Sequence, residues 1–162
     1  MRSFHGDRKA IGLVNRDQHV VEVPLVEHGL AVREAVNDAL DVTHPFTGED
    51  DRVSITEIYA PGEEADRSAV VFGNGQVDRS PCGTGTCAKM ALLHERGELD
   101  LDEAYVQESP IGTRFEGRLV DAETREGRVV TTPTVTGSAH ITGEHTFLKE
   151  PSDPITGFDV SS

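Results

Sequence analysis

The segment 83–96 reads as a helix so densely apolar, through Ala88, Met90, Ala91, Leu92 and Leu93, that it must be buried on most of its sides, with Gly97 placed to stop it. Nearly everything around it reads as short strand. Strand patterns fall at 10–14, 19–23, 53–59 and 69–72 before the helix, and near 104–108, 114–120, 128–135 and 139–148 after it, separated by turns that carry glycine. A second helix at 27–40 presents Leu30, Ala31, Ala35, Val36, Ala39 and Leu40 at helical spacing, and the proline and glycine of 41–48 end it. The acidic run Pro61-Gly62-Glu63-Glu64-Ala65-Asp66 reads as a solvated loop. One enclosed helix among many strands predicts an α+β domain in which a curved sheet wraps a central helix.

A chain of 162 residues suits a single domain with its own core. Its formal net charge of −14, with lysine scarce against arginine and no basic cluster, argues against nucleic acid and against anionic membrane surfaces. Acids spread over the whole chain fit a protein kept soluble in high salt, or simply an acidic soluble protein. No apolar run reaches membrane length and the first residues lack the apolar core of a signal peptide, so the expected compartment is the cytoplasm. The two cysteines, Cys82 and Cys87, imply neither a disulfide framework nor a zinc quartet. Five residues along a helix is a rotation of about 140°, so their side chains point apart. The seven histidines show no metal-ligand spacing and read as surface or structural residues.

Just ahead of the buried helix runs Asp78-Arg79-Ser80-Pro81-Cys82-Gly83-Thr84-Gly85-Thr86. The first N–H groups of a helix lack intrahelical acceptors and carry partial positive charge, so they can hold an anion and lower the pKa of a thiol beside them. Cys82 is therefore a candidate activated thiol, with Gly83 and Thr84 offering N–H groups to a substrate carboxylate; the alternative is a glycine-rich turn over a buried cysteine. Asp78 either accepts hydrogen bonds from a substrate ammonium or closes an Asx-turn. Phe72 either walls a small pocket or belongs to the core. A thiol, a carboxylate cradle and an ammonium partner describe an amino-acid site in which cysteine acts on the α-proton, chemistry that needs no cofactor.

The run from Asp78 to Ala88 resembles the signature around the second catalytic cysteine of the proline racemase and 4-hydroxyproline epimerase family. Glu57-Ile58-Tyr59, Val70-Val71-Phe72-Gly73-Asn74, Lys89-Met90-Ala91, Glu108-Ser109-Pro110-Ile111-Gly112, Phe115-Glu116-Gly117-Arg118 and Asp153-Pro154-Ile155-Thr156-Gly157-Phe158 resemble it too, in the family's order. The resemblance implies a lobe like those of diaminopimelate epimerase, a curved, mostly antiparallel sheet or barrel around a central helix. Substrate would lie between two such lobes, each contributing a cysteine to opposite faces of the α-carbon. Carried over, Cys82 is one acid/base, Asp78 contacts the substrate nitrogen, Gly83 and Thr84 bind its carboxylate and Phe72 lines the pocket.

Family members are about twice as long, and their first lobe carries a Met-Cys-Gly-His motif that this sequence lacks. The chain thus resembles the second half: a single lobe over 1–152, with 1–26 as an altered inter-lobe strand region and 153–162 as a tail that packs on the other lobe in longer relatives. Gly6-Asp7-Arg8 stands where the family has Gly-Gly-Asn, and Cys87 where it usually has serine. The implied function is half of a cofactor-independent imino-acid racemase or epimerase, completed by a thiol from another chain in a homo- or hetero-oligomer. A remnant that binds imino acids or packs with a partner is the rival from another class. Diaminopimelate epimerase shares the Cys-Gly-Thr-Gly core but not the Asp-Arg-Ser-Pro lead-in. Related dehydratases keep threonine where Cys82 stands.

Overall fold

The alternation of buried and exposed positions along the strands turns one face of a mixed sheet toward a single enclosed helix. The computed structural model describes residues 2–3, 10–15 and 25–154, with side chains described from residue 25 onward. In chain order the elements are β1 (Arg2–Ser3), β2 (Ala10–Asn15), α1 (Leu25–Ala39), β3 (Val42–Thr43), β4 (Asp50–Asp51), β5 (Val53–Ala60), β6 (Asp66–Phe72), β7 (Gln76–Val77), α2 (Gly83–Glu95), β8 (Tyr105–Glu108), β9 (Arg114–Arg125) and β10 (Arg128–Thr136). The main sheet runs β1-β2-β5-β6-β8-β9-β10, with β7 beside β6. Only β2–β5 and β6–β8 pair in parallel within it; the other described pairs are antiparallel.

Helix α1 packs on β5, β6 and β2, whereas α2 packs on β9, β10 and β2, strands far apart in the sheet order. A sheet that reaches one helix from both of its sides must curve around it, as the sequence pattern predicts. Among the described residues the terminal strands β1 and β10 do not pair, so the sheet stays open and the expected barrel is not closed. No helix among these residues is long and apolar enough to cross a membrane.

The core between α2 and the sheet is built on Met90, Leu99, Tyr105 and Leu119, with Cys87 and Leu93 against it. Gly117, opposite Tyr105 in the β8–β9 register, lets the helix approach. A Cβ there would lie 2.6 Å from Met90 Sδ. Helix α2 ends in a Schellman motif: Gly97 takes φ +71°, its N–H donates to the His94 carbonyl at 3.0 Å, and Glu98 N–H donates to the Leu93 carbonyl at 2.9 Å. The β9–β10 hairpin turns on Glu126 and Gly127, both at positive φ as a two-residue hairpin loop requires. Pro133 is accommodated at a register shift in β10.

Three expectations need correction. Residues 139–148 form no strand: Ile141, Phe147 and Leu148 are each more than 90% exposed, so the alternation there has no sheet partner to bury it. The acidic run 61–66 is solvated only in part, because Asp66 opens β6 and turns its carboxylate to the buried Lys89. Helix α1 begins at Leu25, ahead of the first periodic position. The strand expected at 19–23, the Gly6-Asp7-Arg8 segment and most of the tail 153–162 lie outside the described residues.

Candidate functional site

The turn before α2 is held at every step. Asp78 N–H donates to the Val70 carbonyl at 3.0 Å, anchoring the turn to β6. Asp78 Oδ1 accepts from Ser80 N–H at 2.9 Å and from the Ser80 hydroxyl at 3.0 Å, an Asx-turn, and Ser80 Oγ in turn accepts from Cys82 N–H at 3.1 Å. From the far side, Thr113 Oγ1 donates to the Arg79 carbonyl at 3.1 Å. These bonds deliver Cys82 to the cap position of α2 with φ 68° and ψ 116°, a backbone region that side-chain-bearing residues rarely occupy.

The strain gives the cysteine a functional posture. Its carbonyl starts the helix, accepting from Thr86 N–H at 2.9 Å and from the Thr86 hydroxyl at 2.8 Å. Its Sγ sits over the first turn, accepting from Gly85 N–H at 3.4 Å. Gly83 N–H has no acceptor among the described residues, and on its side-chain face there is open space, with nothing within 4 Å. The helix start therefore presents a half-buried sulphur beside an unoccupied amide hydrogen.

The thiol's electrostatics run opposite to the sequence expectation. Burial pushes the Cys82 thiol above the ordinary thiol range; the Gly85 amide pulls it back, but the carboxyls of Glu57 and Asp78 push it further up. The helix start does act in the expected direction, through the Gly85 and Thr84 amides. Desolvation and two acids outweigh it. Cys82 therefore rests as a proton-bearing thiol.

Asp78 commits Oδ1 to the turn, which realises the Asx reading and leaves the carboxylate beside the thiol. Gly83 is exposed and Thr84 half-buried at the head of α2. Phe72 ends β6 at 39% exposure, so it is not a core residue. Cys87 packs against the Met90 cluster, near enough to Cys82 for that thiol to raise it further, and both thiols are free. His94 Nδ1 pairs with the Leu99 carbonyl at 2.8 Å, and His44 Nδ1 accepts from Thr47 N–H at 3.1 Å, both structural contacts.

Beneath the cysteine turn lies a polar group that residue-type reasoning missed. Glu57 on β5 is fully buried, and Gln107 on β8 donates from Nε2 to its Oε1 and to the Pro81 carbonyl at 3.1 Å, with the Ser68 hydroxyl 2.7 Å from the same nitrogen. Tyr105 donates to Asp66 Oδ2 at 3.0 Å and lies 3.2 Å from Gln107 Oε1. Burial, chiefly, and the Asp66 carboxylate hold its phenol protonated. Lys89 Nζ is buried 3.2 Å from the centroid of the Tyr59 ring and 3.7 Å from Asp66 Oδ2. Burial raises Glu57 to about 7, against opposing hydrogen bonds from Gln107 and Ser68 and the charge of Lys89. The available signal was strand register: Glu57 shares the inward face of β5 with the buried Val53 and Tyr59.

A family model described as proline racemase matches residues 9–159. Over 137 residues the chain is 43% identical to a proline racemase of Acetoanaerobium sticklandii, covering 82% of this chain and 41% of that protein. A 4-hydroxyproline 2-epimerase of Streptosporangium roseum is 42% identical over 132 residues, covering 80% of this chain and 40% of its own. The crystal structure of a hydroxyproline epimerase from Agrobacterium vitis, with bound trans-4-hydroxy-L-proline, superposes with a TM-score of 0.66 at 34% identity, covering 70% of this chain and 33% of that one. The chain thus spans about two fifths of the length of the curated relatives it matches.

Proposed function

The chain belongs to the proline racemase family, and from that premise we propose that it forms one lobe of a cofactor-independent racemase or epimerase of proline or a hydroxyproline, in which Cys82 exchanges a proton with the substrate α-carbon. The lobe corresponds to one half of a diaminopimelate-epimerase-like architecture. The observation that carries the reading is the posture of Cys82: a cysteine held at φ 68° to cap α2, its sulphur beside a free backbone N–H and open space.

In the proposed reaction a thiolate on the opposite face takes the α-proton, and the electron pair left on the α-carbon spreads into the substrate carboxylate. Cys82 then gives its thiol proton to the near face, inverting the centre and leaving the two sulphurs with exchanged protonation states. The raised thiol suits Cys82 to the donor role. Gly83 and Thr84 N–H groups receive the carboxylate and stabilise the charge that gathers there, Asp78 meets the ammonium, and Phe72 walls the ring. Cys87, packed against the Met90 cluster, cannot serve the other face. The opposite thiol must come from outside these 162 residues, in an assembly with another lobe, against which the exposed Ile141, Phe147 and Leu148 pack.

The same shortage of thiols favours a second reading, a lobe that binds imino acids without turning them over. Incubation with each enantiomer of proline and of 4-hydroxyproline in D₂O, followed by proton NMR, separates the two. The chain by itself should exchange the α-proton of one enantiomer slowly without racemising it, and Cys82→Ser should abolish exchange while folding normally. A binding lobe exchanges neither enantiomer; exchange retained in Cys82→Ser would remove Cys82 from the mechanism.

A further inference from the structure

The buried carboxyl of Glu57 lies directly under the helix start that carries the thiol. A Cβ added to Gly85 would stand 3.0 Å from Glu57 Oε2 and 3.1 Å from both Cδ and Oε1, so the carboxyl lies flat against the backbone of the residue whose N–H holds Cys82 Sγ. Oε2 is buried and has no hydrogen-bond partner among the described residues. Oε1 is tied through Gln107 Nε2 to the Pro81 carbonyl, the group joined directly to Cys82 N. One carboxyl thus bears on both backbone features that define the cysteine: through Gln107 on the peptide entering it, and by packing against Gly85 on the residue whose amide solvates its sulphur.

We propose that Glu57 is a positioning residue for Cys82, fixing the Pro81–Cys82 peptide through Gln107 and, by its charge beneath Gly85, opposing thiolate formation at the helix start. The groups facing this pair are few. From α2 come Lys89 and Cys87, from β6 Asp66, from β8 Tyr105, from β5 itself Tyr59, and from the turn Asp78. Strand β2 carries no ionisable residue. Arg33 of α1 faces away, onto the Ser54 and Gly73 carbonyls at 3.3 and 2.8 Å. Lys89, held against the Tyr59 ring and Asp66, offsets part of the Glu57 charge, yet Glu57 still raises Cys82.

Because the neutral carboxyl ionises near pH 7, the two groups titrate as a coupled pair. Below that pH Cys82 sees a neutral neighbour; above it, an anion that makes the thiol a weaker acid.

The test is the pH dependence of Cys82 alkylation by iodoacetamide in the intact protein, with Cys82 resolved from Cys87 by fragment-ion mass spectrometry. The logarithm of the wild-type rate should rise with pH, flatten around neutrality as Glu57 ionises, and rise again. In Glu57→Gln the flattening should vanish and alkylation at about pH 8 should be several-fold faster. A single wild-type ionisation with no flattening, or flattening that persists in folded Glu57→Gln, overturns the proposal. Should Glu57→Gln fail to fold, the wild-type profile decides alone. The inference rests on Cys82 being the reacting thiol, yet alkylation needs no turnover, so this coupling and the exchange activity can fail separately.

Discussion

Glu57 makes the fold's stability depend on pH in a direction opposite to that of most carboxylates. An acid paired with a cation or with amide donors is stabilised when ionised, and its contribution is lost as pH falls. Glu57 is buried with one oxygen unpartnered, and its folded-state value lies at about 7 against an ordinary 4.5. Between those values the unfolded chain has released a proton that the folded chain retains, so stability falls as pH rises through the window. At ~1.4 kcal/mol per pH unit, the loss attributable to this one group is about 3 kcal/mol, complete once the folded-state carboxyl has ionised. Glu57→Gln keeps the shape and removes the titration. Urea denaturation of both proteins between about pH 4 and pH 8 isolates the effect, because Cys82, the thiol coupled to Glu57, is raised by burial and stays largely protonated over that range, and any constant offset from the amide is independent of pH. The stability difference should move by about 3 kcal/mol in favour of glutamine from the acid to the alkaline end. Parallel curves would show that the carboxyl is not desolvated as the geometry implies.

Two further substitutions probe the backbone and the packing that support the site. Cys82→Gly relieves a strained φ/ψ worth ~1–3 kcal/mol while losing glycine's ~1 kcal/mol of chain entropy and a few tenths from the cap, so stability should range from nearly unchanged to about 1.5 kcal/mol higher while the thiol is removed. A loss of about 1 kcal/mol or more would mean the conformation is not strained. Gly117→Ala drives a methyl to 2.6 Å from the sulphur of Met90, a side chain that is fully buried, and should cost about 2 kcal/mol by denaturant titration. A neutral result would mean the helix–sheet contact is slack.

The sequence carried the parts of this structure that follow from local pattern. Both helices, the strands at 53–59 and 69–72, the stop at Gly97 and the glycine-rich cap around Cys82 need only periodicity and turn chemistry, and the structure has them. The reading failed where a side chain's role is set by what lies across the sheet. Residues 139–148 alternate as a strand should, but alternation reports an amphipathic segment and not the presence of a neighbour to pair with, and here none is supplied. The thiol was expected to be lowered because the helix start was visible in the sequence, whereas the acids that outweigh it were not. Asp78 was visible four residues away, but Glu57 reaches Cys82 only because the fold brings its carboxyl against Gly85 at the start of α2. Even so, the carboxyl left a trace. A glutamate on the same strand face as Val53 and Tyr59, in a strand flanked on both sides, must lie inside. An acid inside a small domain is tolerated only where its charge is suppressed or used. The glycine at 85 then acquires a cause beyond turn chemistry: its missing side chain is the space the Glu57 carboxyl occupies.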